Sequence, residues 1–394
     1  MAKEKGVFSI ADLNAAMNKN SKFGGLLADG GGVSKITEYI PTGNYMLNAC
    51  VSGDLLKGIP NNRSICLSGE SGVGKTYLIL NMCREAQKKG YFVVFYDSEN
   101  AVDDDLAAGF GIDLNMFRYE PVQTVQDFRS NITQFVDLLI EQKEAGNEIP
   151  KVFIALDSAG NLATQKEIDD AKTLSDKSDM SRAKVMKSIF RILMSKLGII
   201  GGSFVFSNHI YKTLDLYAQS VQAGGSGILY GASIILNMTK AKLKESDGSQ
   251  SGIVVTAKPD KNRFCKPTVV KFHISYNHGM NPYVGLDEYM SWDACGVERG
   301  KFITDKEYAK LSEADKKNAR QHPMDEKVYM LPSPTGRNIC TKHSTTAFPL
   351  KEIFTKNVWT AERLAEMQAY LKPIFEYARH TDDEVEEIIG GDDE

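Results

Sequence analysis

The chain is 394 residues long, carries a formal net charge of −4 and has a composition that is ordinary for a soluble globular protein. It has no run of about 18 apolar residues and no apolar segment near its start, so neither a membrane span nor a signal peptide is predicted. Its six cysteines lack metal-type spacing, which favours reduced thiols and a cytoplasmic location.

Residues 1–35 form a predicted arm ahead of the first long apolar segment. Ala11–Met17 fits a short helix, and the glycine clusters Gly24-Gly25 and Gly30-Gly31-Gly32 predict a flexible connection. Ile36–Ile40 is a predicted strand before Pro41. The arm is too short to build its own core. We therefore expect it either to pack on a neighbouring copy or to stay loose.

The segment from Gly69 to Thr76 matches the phosphate-loop pattern of Gly, four residues, Gly, Lys and Ser or Thr. A predicted buried strand, Ile65–Leu67, precedes it, and a predicted helix, Tyr77–Lys88, follows it. The amides of a Gly-rich turn can approach phosphates closely, and the helix start adds the positive end of its dipole. We expect Lys75 to reach the β- and γ-phosphates and the Thr76 hydroxyl to bind Mg²⁺. The predicted nucleotide-binding residues of this segment are Gly69, Glu70, Ser71, Gly72, Val73, Gly74, Lys75, Thr76 and Tyr77.

Predicted strands and helices alternate after this loop, which is typical of a parallel sheet in an α/β fold. The predicted strands are Tyr91–Tyr96, Lys151–Leu156, Gly202–Ser207, Ile234–Met238, Ile253–Ala257 and Thr268–Ile274. The predicted helices are Val102–Ala108, Val125–Lys143 with Thr124 as its cap, and Ser178–Leu197. From about Asn281 the pattern changes to a smaller, mostly helical region. Its clearest helix runs from Ala361 to Arg379 behind Thr360.

Polar residues that suit phosphate chemistry end three of the predicted strands. Asp157 follows an apolar strand in the manner of a Walker B element and would bind the Mg²⁺ shell through water; capping of the next turn is the alternative. Glu99 follows the strand that ends at Tyr96, where a carboxylate can orient the attacking water. Asn208 and His209 follow Ser207 and can contact the γ-phosphate. Glu99 and His209 could also be ordinary polar residues at strand ends.

Together these motifs resemble the RecA-type recombinases, most closely their UvsX branch in T-even-like phages. The likeness covers about residues 36–290 and implies a RecA-like P-loop NTPase core. Its features, in the family's order and spacing, are Gly69–Thr76, Phe95–Glu99, Phe153–Ser158, Asp179–Lys184, Ser207–His209, Gly224–Gly227 and Pro282–Leu286. A phage source, with the cytoplasm of a host bacterium as location, follows only from this likeness.

The resemblance implies a DNA-dependent ATPase that cleaves a phosphoanhydride bond of ATP, with Mg²⁺, while assembled as a helical filament on single-stranded DNA. Homologous pairing and strand exchange with duplex DNA are the implied reactions, with a loader and a single-strand-binding protein as possible partners. In this likeness Lys75 and Thr76 bind ATP and Mg²⁺, and Lys75 also serves catalysis. Glu99 activates water and Asp157 supports the metal. Asn208 and His209 sense the γ-phosphate.

The likeness places DNA at two loops, Gln165–Asp179 and Ile210–Gly225. The candidate DNA-binding residues on and beside them are Arg182, Lys184, Lys187, Arg191, Lys212, Tyr217, Gly224 and Gly225. Tyr217 can stack on bases. Because Lys212 is the only cation of the second loop, phosphate contacts are expected partly from the helix after the first loop. On that helix three of the cations share one face, which a solvated surface explains equally well.

Lys261 and Arg263 resemble the cations that this family extends into the ATP site of a neighbouring subunit, and a basic surface loop is the alternative reading. Two features depart from the family. Bacterial relatives place an aromatic residue over adenine where this chain has Asp103-Asp104-Asp105-Leu106, so Asp103 is only a candidate adenine contact. The large C-terminal DNA-gathering domain of bacterial relatives has no convincing counterpart beyond about Asp287.

The last thirteen residues, Asp382–Glu394, contain eight acidic residues and no Lys or Arg, so the rest of the chain has a formal charge of +4. Such a tail suits a protein that regulates its own access to a polyanion by competing with DNA for a basic groove, although it could serve solubility alone. The predicted organisation is an oligomerisation arm (1–35), an ATPase core (36–290), a small C-terminal region (291–381) and this tail (382–394).

Two other functions share parts of this sequence pattern with a recombinase. A ring-forming helicase motor uses the same core but normally carries a substantial N-terminal domain, and only about 35 loose residues precede the core here. A non-catalytic DNA-binding or mediator protein would have a degenerate nucleotide site. Lys75, Thr76, Glu99 and Asp157 are all present, so nothing in the site looks degenerate.

Overall fold

A computed structural model of the chain describes seven stretches, which are residues 8–19, 24–29, 33–172, 181–212, 220–222, 231–245 and 247–377. The chain divides into two compact units. Unit 1 comprises Met1–Pro41 and Ile59–Met238, and unit 2 comprises Thr42–Gly58 and Thr239–Glu394. Within the seven stretches, no helix is both long enough and apolar enough to cross a membrane. All six cysteines are buried and unpaired, as expected for reduced thiols.

The strands of unit 1 form a mostly parallel sheet and a short separate pair. Their bounds are β1 Tyr39–Ile40, β2 Ile59–Pro60, β3 Ser64–Gly69, β4 Phe92–Asp97, β5 Phe117–Pro121, β6 Val152–Asp157, β7 Ser203–Lys212, β8 Ser220–Gln222 and β9 Ile234–Lys244, whose second half lies in unit 2. The sheet order is β9-β3-β7-β6-β4-β5, with every neighbouring pair parallel. β8 pairs antiparallel with the end of β7, and β1 pairs with β2. The predicted α/β fold with a mostly parallel sheet is therefore confirmed.

The longer helices of unit 1 pack apolar faces on this sheet, whereas the first helix has no buried residue. Their bounds are α1 Ile10–Asn18, α3 Lys75–Gln87, α4 Asp104–Gly109, α5 Val125–Glu144, α6 Gln165–Lys172 and α7 Ser181–Ile200. The helix between the first two, α2 Tyr45–Ser52, belongs to unit 2. Thr124 caps α5 as predicted, because its hydroxyl accepts the Asp127 N–H at 2.9 Å. Phe128 of α5 and Phe190 of α7 lie in one buried cluster with Phe204 of β7. This packing holds the strands of the sheet, and so the ends that carry the polar residues, in fixed positions.

Unit 2 is built on antiparallel strands. The bounds of its elements are α2 Tyr45–Ser52, β10 Gln250–Asn262, β11 Val270–Ser275, β12 Gly279–Met280, α8 Trp292–Cys295, β13 Val297–Thr304, α9 Asp305–Tyr308, α10 Glu313–Asn318, β14 Arg320–His322, β15 Asp325–Pro332, β16 Asn338–Thr341, β17 Ser344–Pro349 and α11 Ala361–Phe375. β11 pairs with both β10 and β12. A second sheet has the order β14-β15-β13-β16-β17, and Trp292, Met330 and Cys340 form its buried core.

The structure corrects two expectations about secondary structure. The region after residue 290 is not mostly helical, because β13–β17 form a five-stranded sheet there beside the predicted helix capped by Thr360. β14 and β16 have only three and four residues, and charged residues interrupt β13 and β15, so no clear alternation marks these strands. Part of the first predicted DNA loop, Gln165–Lys172, is helical as α6. The sequence reading also missed β5 and α2.

Candidate functional site

The loop between β3 and α3 has a backbone that can bind an anion. Gly72 and Gly74 adopt left-handed conformations, with φ of 71° and 91°, which a residue without Cβ adopts without strain. In the described part of the chain, the amide groups of Gly72, Val73 and Gly74 donate to no protein acceptor. Consecutive free amides in such a turn, at the start of a helix, form a concave site for phosphate oxygens.

Gly69 is required by the packing of the strand that precedes this loop. A Cβ at Gly69 would lie 2.7 Å from the Met238 carbonyl oxygen of β9 and 3.0 Å from Val73 Cγ1. Real Cβ atoms do not approach a backbone oxygen that closely. Any side chain at Gly69 would therefore push β3 away from β9 and displace Val73. The predicted phosphate-loop residues thus occupy one continuous strand–loop–helix segment, Ser64–Gln87.

Lys75 lies at the first position of α3 and is only 6% exposed. Its Nζ donates to the carbonyl oxygens of Gly69 at 2.9 Å and Glu70 at 3.0 Å, and lies 3.4 Å from Nδ1 of His209. A buried ammonium group needs such polar partners. These contacts hold the Lys75 charge inside the loop, beside the free amides.

Thr76 and Asp157 face each other across the site. The Thr76 hydroxyl donates to Asp157 Oδ2 at 2.5 Å, and the Ser207 hydroxyl donates to the other carboxylate oxygen. Burial raises the pKa of Asp157, and the two hydroxyl donors oppose that rise. Among the described residues no cluster of three His, Cys, Asp or Glu side chains could hold a metal ion. A cation at this site would therefore depend on Thr76, Asp157, water and a bound phosphate, which is a ligand set that Mg²⁺ accepts.

Glu99 lies next to these groups, in the turn after β4. Its Oε1 accepts the Ser158 hydroxyl at 2.7 Å and lies 2.7 Å from Nε2 of His209. The hydrogen bond from His209 is the largest cause that lowers the pKa of Glu99, and burial acts in the opposite direction. Glu99 is therefore held as a carboxylate, the protonation state that a general base requires.

Asp97 is a residue of the site that the sequence reading did not single out. It is buried at the end of β4, where its Oδ1 accepts the Glu99 N–H at 2.8 Å. Its Oδ2 accepts the N–H groups of Ala101 at 2.9 Å and Val102 at 3.1 Å. Asp97 thus closes the turn that carries Glu99, which passes through a left-handed residue at Asn100 with φ of 52°. In the sequence, the position of Asp97 at a strand end, two residues before Glu99, could have indicated that it belongs to the site.

Asn208 and His209 lie on β7 beside the phosphate loop. Cα pairing in the sheet sets Asn208 opposite Ser68 and His209 opposite Gly69. Asn208 is fully buried, whereas the His209 ring reaches both Lys75 and Glu99. The structure therefore brings His209 together with the predicted catalytic residues, as expected of a side chain that responds to phosphate.

Tyr77 and Asp103 lie to one side of this cluster. The Tyr77 ring packs edge-on against Phe110 with centroids 4.9 Å apart. Asp103 caps α4 by accepting the Leu106 N–H at 2.8 Å, and lines a cavity of about 440 Å³ together with apolar side chains that include Phe117. The cavity is large enough for a nucleobase, but the Asp103 carboxylate already has a structural partner.

The candidate DNA residues are only partly described. Lys184, Lys187 and Arg191 are exposed on α7, whereas Arg182 is half-buried. Lys212 ends β7, and its side chain lies outside the described part of the chain. Tyr217, Gly224 and Gly225 lie outside the described residues. Lys261 lies in β10 of unit 2, followed by the exposed Arg263; burial is the main cause that lowers the pKa of Lys261.

The chain is similar to several known proteins. A family model described as the RecA N-terminal domain matches residues 11–281. The recombination and repair protein of Enterobacteria phage T4 is 30% identical over 244 residues, 61% of this chain and 60% of that protein. Protein RecA of Fusobacterium nucleatum is 27% identical over 276 residues, 69% of each chain, and Protein RecA of Kineococcus radiotolerans is 26% identical over 289 residues, 73% of this chain and 77% of that protein. The match thus spans less than two thirds of the phage protein. Because the family model covers more than half of the chain, the protein belongs to the RecA family.

Proposed function

We propose that the protein is an ATP-dependent recombinase, which assembles as a helical filament on single-stranded DNA and catalyses homologous pairing and strand exchange. The observation that carries the proposal is the contact of Glu99 with His209 beside Lys75. These contacts join a carboxylate base, a side chain suited to sensing phosphate and the cation of the phosphate loop in one cluster. A DNA-dependent ATPase needs such a connection between its nucleotide and its other ligands.

In this proposal the phosphate loop holds ATP and two side chains hold Mg²⁺. The free amides of Gly72–Gly74 and the Lys75 ammonium bind the phosphates, while the Thr76 hydroxyl and Asp157 bind the ion directly or through water. Mg²⁺ neutralises charge that develops on the phosphates during transfer. A cation beside Asp157 would also offset the cost of burying that carboxylate.

Glu99 is the proposed general base. Its Oε1 accepts hydrogen bonds from Ser158 and His209, which stabilise the charged carboxylate and so make it a weaker base while they last. A γ-phosphate near Lys75 competes for the same His209 ring. Loss of the His209 contact on ATP binding would therefore free Glu99 when the substrate is in place.

Assembly is proposed to use the arm and the two cations of unit 2. On α1 the apolar side chains of Ile10, Leu13 and Met17 recur at helical spacing, and all three are exposed. An apolar stripe of this kind is suited to burial against a second copy. Lys261 and Arg263 are proposed to reach the ATP site of a neighbouring copy, which would couple ATP binding to filament growth.

The relatives named above favour a recombinase over a ring helicase, since they are recombination or RecA proteins. The four-part organisation, the adenine contact of Asp103 and the competition of the tail Asp382–Glu394 with DNA remain proposals. Deleting the tail should raise DNA affinity and change its salt dependence, and unchanged values would contradict its competition with DNA.

Steady-state ATPase rates without DNA, with single-stranded DNA and with duplex DNA test the proposed function. We expect strong stimulation by single strands and its loss in Glu99→Gln, which keeps the size of the side chain and should keep DNA binding. Equal rates with and without DNA in the wild type would contradict the proposal. ATP-driven unwinding by closed rings would instead support the helicase.

A further inference from the structure

Arg182 makes contacts that differ from those of the other cations on α7. Its guanidinium Nη2 donates to the carbonyl oxygen of Gly160 and lies 3.4 Å from that of Ala159. Its Nε is buried and has no hydrogen-bond partner within the described stretches. No carboxylate of the described residues forms an ion pair with it. Arg182 therefore holds a backbone turn, and no described residue supplies its charge with a counter-ion.

The turn that Arg182 holds, Ser158–Asn161, also supports Glu99; we call it the 158–161 turn. At its first residue, the Ser158 hydroxyl donates to Glu99 and the Ser158 N–H donates to the Ser98 hydroxyl at 2.9 Å. At its last residue, the Asn161 side-chain amide donates to the Ser98 carbonyl oxygen at 2.6 Å. The turn is thus bonded at both ends to the segment that carries the proposed base.

A third contact ties the same turn to β7. The Ala159 N–H donates to the Ser207 carbonyl oxygen at 3.0 Å, two residues before His209. The 158–161 turn therefore contacts Arg182 on one side. On its other side it contacts the two segments that carry Glu99 and His209. Because only Ala159 separates Ser158 from Gly160, a displacement of Gly160 can be passed along the backbone to the Ser158–Glu99 contact.

We propose that Arg182 is a positioning residue that couples DNA binding to Glu99. In the DNA-free protein its guanidinium holds the 158–161 turn, and the turn holds Glu99 through Ser158. A DNA phosphate group takes over the guanidinium, the turn is released, and Glu99 becomes available to the attacking water. This rests on the proposed function, and it assigns Arg182 a role other than that of the exposed cations on the same helix.

The energetics favour such an exchange. A guanidinium forms stronger, charge-assisted and bidentate hydrogen bonds with phosphate than with neutral carbonyl oxygens. The buried Nε has no partner among the described residues, so it would gain a hydrogen bond in that exchange. Because coupling between two sites is reciprocal, a nucleotide state that releases the turn must also raise the affinity for DNA.

The test compares Arg182→Gln and Arg182→Lys with Lys184→Gln, which removes an exposed cation two residues away on α7. ATPase rates are measured across a titration of oligothymidylate, with DNA affinity measured in parallel by fluorescence anisotropy. Hydrogen–deuterium exchange of peptides that cover residues 97–102 and 158–161 is followed with and without the oligonucleotide. Thermal melting of each variant reports whether it folds as the wild type does.

We expect the DNA-free ATPase rate of Arg182→Gln to rise several-fold, so that stimulation by DNA shrinks while the maximal rate changes less than twofold. Exchange at 97–102 should rise in that variant without DNA and in the wild type with DNA. Arg182→Lys keeps a charge but loses the planar pair of donors, so its DNA-free ATPase rate and exchange should lie between those of the wild type and Arg182→Gln. Lys184→Gln, which removes a candidate DNA contact, should raise the DNA concentration needed for half-maximal stimulation, and its DNA-free exchange at 97–102 should equal that of the wild type.

Three results would overturn the proposal. A DNA-free rate and exchange pattern equal to the wild type, with weaker DNA binding, would make Arg182 an ordinary phosphate contact. A fall of all rates together with the melting temperature would make it a structural clamp. Unchanged DNA-free exchange at 97–102 in both Arg182 variants would show that the turn does not restrain Glu99. If DNA does not raise the ATPase rate of the wild type, the proposed function is contradicted instead. The DNA-free exchange of the Arg182 variants would then still decide whether Arg182 restrains Glu99.

Discussion

Asp97→Asn changes one atom of a side chain that holds the turn carrying the proposed base. The Asp97 carboxylate accepts three backbone N–H groups, from Glu99 on one oxygen and from Ala101 and Val102 on the other. An amide has one oxygen, so it can serve only one side of this arrangement. The NH₂ group then faces one or two backbone donors that it cannot accept.

The size of the effect follows from these contacts. The better orientation of the amide keeps the bonds to Ala101 and Val102 and leaves only the Glu99 N–H without an acceptor. One unsatisfied, partly buried donor costs about 1–3 kcal/mol in free energy of unfolding. The unpaired donor belongs to Glu99 itself, so its carboxylate should shift. A misplacement of about 1 Å can reduce kcat on the order of 100-fold.

Urea unfolding and DNA-stimulated ATPase kinetics measure both effects. We expect Asp97→Asn to lower kcat about 10- to 100-fold with little change in the KM for ATP, because the phosphate loop is untouched. Asp113→Asn is the matched control, since Asp113 is exposed and caps a short turn with a single oxygen that Asn retains. An Asp97→Asn protein with kcat within twofold of the wild type would refute the positioning role of Asp97.

His209→Gln removes the largest cause that lowers the pKa of Glu99, so that pKa should rise and the acidic limb of the kcat–pH profile should move to higher pH; an unmoved limb would contradict the contact. Gly69→Ala places a Cβ 2.7 Å from a backbone oxygen of β9, so it should lower the free energy of unfolding by about 1–3 kcal/mol and weaken ATP binding. Gly109→Ala is the control, because its Cβ would meet no neighbouring atom within 4 Å, and it should change neither urea unfolding nor ATP affinity. Leu13→Asp places a charge on the exposed face of α1 and should reduce filament length in electron microscopy without changing the thermal melt of the protomer; filaments of normal length would argue against the arm as an interface.

The sequence predicted the parts of the site that depend on local pattern. The spacing from Gly69 to Lys75 specifies a turn that only glycine-rich backbone can make, and the structure has Gly72 and Gly74 in left-handed conformations there. Apolar runs followed by a polar residue predicted strand ends, and because parallel strands end on one edge, Asp157 and Glu99 were expected near the loop. The sequence left His209 as either a phosphate-sensing residue or an ordinary polar residue at a strand end. Its contacts with Lys75 and Glu99, which only the structure shows, favour the first alternative.

Contacts between distant segments could not be read from spacing. Asp97 looked like one more acid at a strand end, and its three backbone partners appear only when the turn after β4 is folded. Arg182 looked like its neighbours on α7, but its contact with Gly160 crosses more than 20 residues and buries its Nε. The strands β13–β17 were missed because β-pairing is non-local, so a short strand is stabilised by its partners more than by its own residues. For this protein, local backbone chemistry determined the phosphate loop and most of the longer strands and helices of unit 1. Tertiary packing decided which side chains restrain Glu99, because a hydrogen bond between segments depends on how the whole sheet brings their ends together.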